Sequence, residues 1–382
     1  MKKQIDGINI TKTIACISVI LLHYTQYFYS TVNNSTVFVL LHSFRWIVFG
    51  CIGYYCLCAG FLQYKKTFSK KYYKKIIKIL VLFLIYCTLS FIFIHKPSNL
   101  SFSSIYQGIT YYFFEFKGYY WYMAMYFGLY LIIPFLNMII ANTTKKQHLF
   151  LIIISIILFS GHDFIMQARD IQPFFSNINI SGYYSSDLFP LTYYFIGAYI
   201  NKYNINISKN ISSFIFLIFL FLHAYCDLRY THIHNYNLSD HIYTFNQYGN
   251  IFTIITCVTS MLIFKNIKLK YTSKFISFIA KYTLPVYLGL GIMDKYQKTI
   301  SNVLFNSKID FSFKGMLLWL AIELIGALLM SIIVTKFMDF IKEIYIYIIK
   351  KIKATNPVIK YKKYIINKYS KDLNIQRDII NN

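Results

Sequence analysis

Lys12 and His23 lie eleven residues apart in the first long apolar stretch of this chain. At about 100° per residue they share one helix face, roughly 16 Å apart along its axis. An ionisable side chain within a membrane span is costly, so by default it faces a cavity or the bundle interior. Imidazole titrates near neutrality and can take a proton from a hydroxyl nucleophile. The plainer alternative, a histidine at a helix end in the interface, fits the position equally well.

Other residues invite the same weighing. Lys75 and Lys78 are three apart and so neighbours on a helix face, yet lysines are expected wherever a loop faces the cytoplasm. Trp121 and Tyr122 could line a cavity or simply anchor a helix at the interface. His42 and Arg45 open the second apolar stretch and could sit across from His23. Glu323 is a lone carboxyl inside an apolar run, either functional or protonated and structural. His232, His234, Asp240 and His241 imitate a metal site without recognisable ligand spacing, so no metal is expected. The seven cysteines lie almost all in apolar runs, and no disulfide framework is expected.

These residues need a scaffold, and composition says which kind. Of 382 residues 57% are hydrophobic and only 14% charged, with mean hydropathy +0.46. A soluble domain of this size cannot hide that much apolar surface. The net charge of +25 sits in lysines between apolar runs, which argues against nucleic-acid binding. The first apolar stretch lacks a small-residue cleavage site and reads as a retained helix. Runs near 9–29, 37–63, 76–95, 119–141, 147–161, 187–201, 211–226, 247–265, 276–293 and 315–341 give about ten membrane spans. The aromatic run 105–116 suits the interface.

Joining segments alternate in charge. Lys2 and Lys3, the cluster from Lys65 to Lys78, Lys145 and Lys146, Lys202 and Lys209, and the run from Lys265 to Lys274 fall on one side. Eight of the 14 acids, Asp294 among them, fall in joins on the other. The positive-inside rule makes the basic side cytoplasmic. The expectation is therefore an all-α, polytopic membrane helix bundle with both termini in the cytoplasm. A membrane domain fills residues 1–345, and 346–382 form a basic cytosolic tail lying on anionic lipid.

A series of motifs then resembles the acyltransferase 3 family of membrane acyltransferases. Ile8-Asn9-Ile10-Thr11-Lys12, Ile14-Ala15 and His23 resemble its first helix, with Lys12 in an arginine slot and Asn9 in an aspartate slot. Cys58-Ala59-Gly60-Phe61-Leu62 resembles its Ser-Gly-Phe segment, and Lys75-Ile76-Ile77-Lys78 stands where the family has paired arginines. Tyr120-Trp121-Tyr122-Met123 with Gly128-Leu129-Tyr130 through Pro134, then Tyr194-Phe195-Ile196-Gly197-Ala198-Tyr199, match later helices. Tyr282 to Leu290 resembles the penultimate helix, with Leu290 where a histidine is common.

The resemblance implies an enzyme of the bacterial cytoplasmic membrane that moves an acyl group from acyl-CoA to a hydroxyl of a cell-surface polysaccharide or glycolipid. Acetyl-CoA is the expected donor. Lys75 and Lys78, joined by Lys12, would meet the donor's phosphates through charge-assisted contacts. His23 would be general base or transient acyl carrier, sharing one hydrophilic passage with Lys12, with Trp121 and Tyr122 in the cavity wall. The partners implied are acyl-CoA, a glycan or lipid-linked sugar acceptor, and membrane lipid. Two rivals keep the same many-span layout: a polysaccharide polymerase, for which Arg169 and Arg229 in outer loops speak mildly, and a flippase for a lipid-linked sugar.

Overall fold

The protein is described by a computed structural model covering residues 2–29, 44–45, 47–97, 101–116, 118–161, 188–233, 248–265, 267, 273–305 and 312–355. Every regular element among these is helical: α1 (Lys2–Tyr29), α2 (Cys51–Gln63), α3 (Lys70–Ser90), α4 (Phe102–Ile109), α5 (Trp121–Ala141), α6 (Lys145–Ile156), α7 (Phe189–Lys202), α8 (Lys209–Ile233), α9 (Ile251–Lys265), α10 (Ser273–Phe305) and α11 (Phe313–Thr355). Short π-helical turns extend α3, α4 and α6, and a 3₁₀ turn, Gly118–Tyr120, leads into α5.

Side chains set several of these boundaries. Ser69 caps α3 by accepting from the Tyr72 amide at 3.2 Å. Thr144 and Gln147 form a reciprocal capping box that starts α6. Ahead of α5 the chain turns through two positive φ angles, 50° at Phe116 and 64° at Gly118. Gly118 adopts its angle without steric cost, and the turn delivers Tyr119 to the bundle.

Six helical runs are long and apolar enough to cross a membrane: Asp6–Tyr27, Lys70–His95, Phe102–Ala141, Lys209–Cys226, Lys274–Val303 and Phe313–Ile348. The protein is thus an all-α membrane protein. Ten spans are expected, and the described parts of the other four fall on helices too short to join these six: α2 and α9 are shorter apolar helices, and α6 and α7 have 12 and 14 residues. Thirteen residues of α2 rise about 20 Å, less than a hydrocarbon core of about 30 Å. One boundary moves with consequence. The ninth expected span stops at 293, whereas α10 continues to Phe305, so Asp294 lies inside a helix and not in a join.

The polarity of this bundle suits lipid. Phe135, Met138 and Ile139 on α5, and Phe214, Leu217 and Phe221 on α8, point outward. Thr11, Ser18, Asn137, His148 and Glu323 are buried. Without a hydrophobic force between helices in lipid, association relies on close backbone approach and interhelical hydrogen bonds. Both are present. Helices α2 and α7 cross at Gly60 and Gly197, where a Cβ on either glycine would collide with the carbonyl of Tyr194 or Leu57 respectively. The two glycine motifs noted in the sequence are therefore the two sides of one crossing.

Polar ties join the rest. Tyr72 on α3 donates to the Tyr130 carbonyl at 2.7 Å, and Tyr130 on α5 donates to the Tyr72 carbonyl at 3.0 Å. Asn137 donates to the carbonyls of Gln63 and Lys66 and accepts from the Tyr194 hydroxyl at 2.6 Å. On α1, Asn9 donates to Ser277 Oγ at 3.0 Å and Thr13 to the Ile276 carbonyl at 3.3 Å, fixing α1 to α10.

Contacts divide the chain into two compact units, Met1–Ser331 and Ile332–Asn382. The first holds both cavities described below. The described part of the second is helical and exposes Ile333, Phe337, Phe340 and Tyr345.

Candidate active site

Helix α1 delivers His23 to the wall of a 370 Å³ cavity. Leu22, Gln26 and Tyr27 follow it from α1, Cys51, Ile52 and Tyr55 come from α2, Tyr119, Trp121 and Tyr122 from the start of α5, and Tyr287 and Asp294 from α10. His23 therefore faces a space within the bundle. Among the described residues neither of its ring nitrogens has a hydrogen-bond partner. Its neighbour is aromatic: the Tyr119 ring centroid lies 4.5 Å from the imidazole, tilted by 52°.

Tyr119 is held on three sides. Its hydroxyl donates to Asp294 Oδ2, its carbonyl accepts from the Tyr287 hydroxyl, and its ring rests against Gly291, where a Cβ would stand 2.9 Å from Tyr119 Cδ2. Glu323, buried on α11 at 2% exposure, interacts electrostatically with Asp294 and Tyr119, and its Oε1 has no hydrogen-bond partner. Arg45 donates to Thr25 Oγ1 at 3.3 Å and lies within electrostatic reach of His23. His42 lies outside the described residues, as do the side chains of Arg169, His232, His234, Asp240 and His241.

Lys12 lines a second cavity of 180 Å³, with Cys58, Ala59, Gln63, Met125, Tyr126, Tyr130 and Thr283 among its walls. Tyr55, Tyr122 and Tyr287 belong to both cavities. The single passage expected between Lys12 and His23 is therefore two chambers with a shared wall of three tyrosines. The Tyr122 and Tyr287 rings meet edge-on at 5.0 Å, and Tyr55 and Tyr122 lie 6.2 Å apart. The Tyr55 hydroxyl is buried beside the Cys16 thiol, with no oxygen or nitrogen partner among the described residues.

The remaining expected site residues separate. Trp121, 43% exposed, lines the His23 cavity, and Tyr122, buried, lines both. Lys75 and Lys78 are exposed on α3 and line neither chamber. A third, basic crevice of 670 Å³ carries Lys65, Lys66 and Lys202, with Lys202 Nζ donating to the carbonyls of Ile140 and Thr143.

This layout, an imidazole in an aromatic chamber beside a lysine-bearing one, is carried by a chain whose residues 5–336 match the family model described as an acyltransferase domain, that of acyltransferase 3. The chain belongs to the acyltransferase 3 family. It is thus an acyltransferase, and one embedded in a membrane by several apolar helices. No curated protein and no solved structure gives a significant match.

For this acyltransferase, the residues that sequence reasoning missed are Tyr55, Tyr119, Tyr287 and Asp294. Three are tyrosines in a chain with 37 of them, so type alone could not single them out. Asp294 carried a signal in principle. It follows Met293 at the end of a long apolar run, where one more helical turn places a carboxyl inside the bundle.

Proposed function

We propose that this acyltransferase moves a short acyl group, acetyl in the first instance, from acyl-CoA to a hydroxyl of a cell-surface polysaccharide or glycolipid at the bacterial cytoplasmic membrane. The carrying observation is the His23 ring, which faces a cavity of the bundle with both nitrogens unpartnered among the described residues. His23 is the general base. As the acceptor oxygen attacks the thioester carbonyl, its proton passes to the imidazole. The C–S bond then breaks, and the thiolate takes that proton to leave as CoA. A positioned base of this kind contributes about 10²–10⁴-fold.

Lys12 serves the donor side. Its chamber adjoins that of His23 through Tyr55, Tyr122 and Tyr287, so the acyl-bearing arm passes that wall to reach the imidazole. Trp121 and Tyr122 shape the acceptor and acyl space. Lys75 and Lys78, exposed at the start of α3, meet the donor's phosphates as it approaches and do not hold it within the bundle. Both termini lie in the cytoplasm, with 346–382 a basic tail that carries Lys350, Lys351, Lys360 and Lys362 on anionic lipid. Membership in an acyltransferase family speaks for transfer over polymerisation or flipping.

The test is transfer of label from [acetyl-labelled] acetyl-CoA to a panel of surface glycans by the protein in proteoliposomes. Label is expected in a glycan hydroxyl ester, and His23→Ala is expected to lower it at least 100-fold, roughly as loss of a positioned base does. Wild-type transfer by His23→Ala would refute the role given to His23.

A further inference from the structure

We infer that Tyr119 and Asp294 form a positioning unit for the His23 imidazole, an inference that rests on the transferase reading above. A catalytic imidazole is ordinarily oriented by a hydrogen bond to one nitrogen while the other works. Here neither nitrogen has such a bond among the described residues. Among the described residues the contact that can orient the ring is packing, and the partner is Tyr119, whose ring lies 4.5 Å from the imidazole.

Tyr119 is suited to that task because none of its freedoms is left. Asp294 accepts its hydroxyl hydrogen bond, the Tyr287 hydroxyl donates to its carbonyl, and Gly291 admits its ring onto α10. The hydroxyl directs its one proton at Asp294 and so does not donate to an imidazole nitrogen, which leaves a basic nitrogen open to substrate. The partners come from α10, 168 and 175 residues away in sequence, and α1 packs on that same helix through Asn9 and Thr13. One helix thus fixes both the backbone that carries His23 and the ring that orients it. The charged and titratable groups around this unit are Arg45 near His23, Glu323 near Asp294 and Tyr119, Lys298 over the Tyr27 ring at 4.6 Å, and the hydroxyls of Tyr55 and Tyr287.

The experiment compares Tyr119→Leu, Tyr119→Phe and Asp294→Asn with His23→Ala in the full chain in proteoliposomes. Turnover is expressed per folded protein from a thermal melt, with kcat and donor KM read separately. A displacement near 1 Å at a catalytic group costs up to about 10²-fold. Tyr119→Leu, which fills the space without the flat ring, is expected to lower kcat roughly 30- to 100-fold at unchanged donor KM. Tyr119→Phe, which keeps the ring but loses its hydroxyl anchor, and Asp294→Asn, which weakens the anchor from a charge-assisted to a neutral hydrogen bond, are expected to fall in between, up to about tenfold. In the His23→Ala background none of the three should lower the residual rate further, because groups acting as a unit are not additive.

A second readout needs no turnover: the side-chain NMR signal of isotope-labelled His23, assigned by its loss in His23→Ala, should move in Tyr119→Leu as the ring leaves it. Wild-type kcat in Tyr119→Leu and Asp294→Asn, beside an inactive His23→Ala, overturns the positioning role and leaves the proposed function standing. A raised KM with unchanged kcat, or an undiminished effect in the His23→Ala background, also overturns it. Full activity of His23→Ala overturns both.

Discussion

Gly60 and Gly197 face each other across the α2–α7 crossing, each pressed against the backbone of the other helix. The contact is nearly symmetric: Gly60 meets the Tyr194 carbonyl and the Ala198 amide, and Gly197 meets the Leu57 carbonyl and the Phe61 amide. In both cases the obstacles are the residues three before and one after the opposing glycine. Approach this close permits Cα–H···O contacts and dense packing, the means by which helices associate in lipid. It also holds α2, which brings Tyr55 to both chambers.

The crossing tolerates no methyl group. Gly60→Ala and Gly197→Ala each force a Cβ into backbone that no rotamer change can move, at a cost of at least about 1–3 kcal/mol. Both are expected to lower the melting temperature in detergent, and the double variant to lose less than the sum because the sites share one interface. Gly128→Ala is the control, since nothing lies within 4 Å of its Cβ. It should be neutral or stabilising by about 0.5–1 kcal/mol.

Asn137 is expected to matter to stability far more than its place on an apolar helix suggests. Asn137→Leu strands the buried hydroxyl of Tyr194, at about 1–3 kcal/mol, and also takes a donor from the part-buried carbonyls of Gln63 and Lys66, the first of which keeps the Lys66 amide. Tyr194→Phe strands only the amide oxygen and should cost less. Thermal melts of the two variants order the losses, and equal losses would contradict the network.

Donor binding should distinguish the lysines. If Lys12 meets the donor inside the bundle, Lys12→Gln removes a charge-assisted hydrogen bond worth about 1.5–3 kcal/mol and raises the acyl-CoA KM roughly 10- to 100-fold. Lys75→Gln with Lys78→Gln, both on an exposed face, should have a small effect that vanishes at high salt. Measuring KM at two ionic strengths checks this, and the reverse order would move the donor site to α3.

Tyr55→Phe is expected to leave the melting temperature unchanged or raise it. Among the described residues the buried hydroxyl has no oxygen or nitrogen partner and meets only the weakly bonding Cys16 thiol, and a group left unmet costs about 1–3 kcal/mol. A fall in kcat at an undiminished melting temperature would assign that hydroxyl to bound substrate, whereas a lower melting temperature would show that it has a partner in the resting protein.

Hydropathy and periodicity determined a good deal on their own. In lipid each backbone amide must be satisfied within its own segment, so long apolar runs have to become helices. The described residues of the expected stretches are almost all helical for that reason, and six of the runs are long enough to cross a membrane. The 3.6-residue period likewise puts Lys12 and His23 on one face of α1, and both do line cavities. Tertiary structure alone decided what meets them. Tyr119 and Asp294 are 175 residues apart, and no local rule pairs a turn before α5 with the C-terminal half of α10. The division into two chambers, and the placing of Lys75 and Lys78 outside both, follow from how helices cross. Crossings are set by small residues such as Gly60 and Gly197, whose partners are chosen by shape over long separations, which a local pattern does not encode.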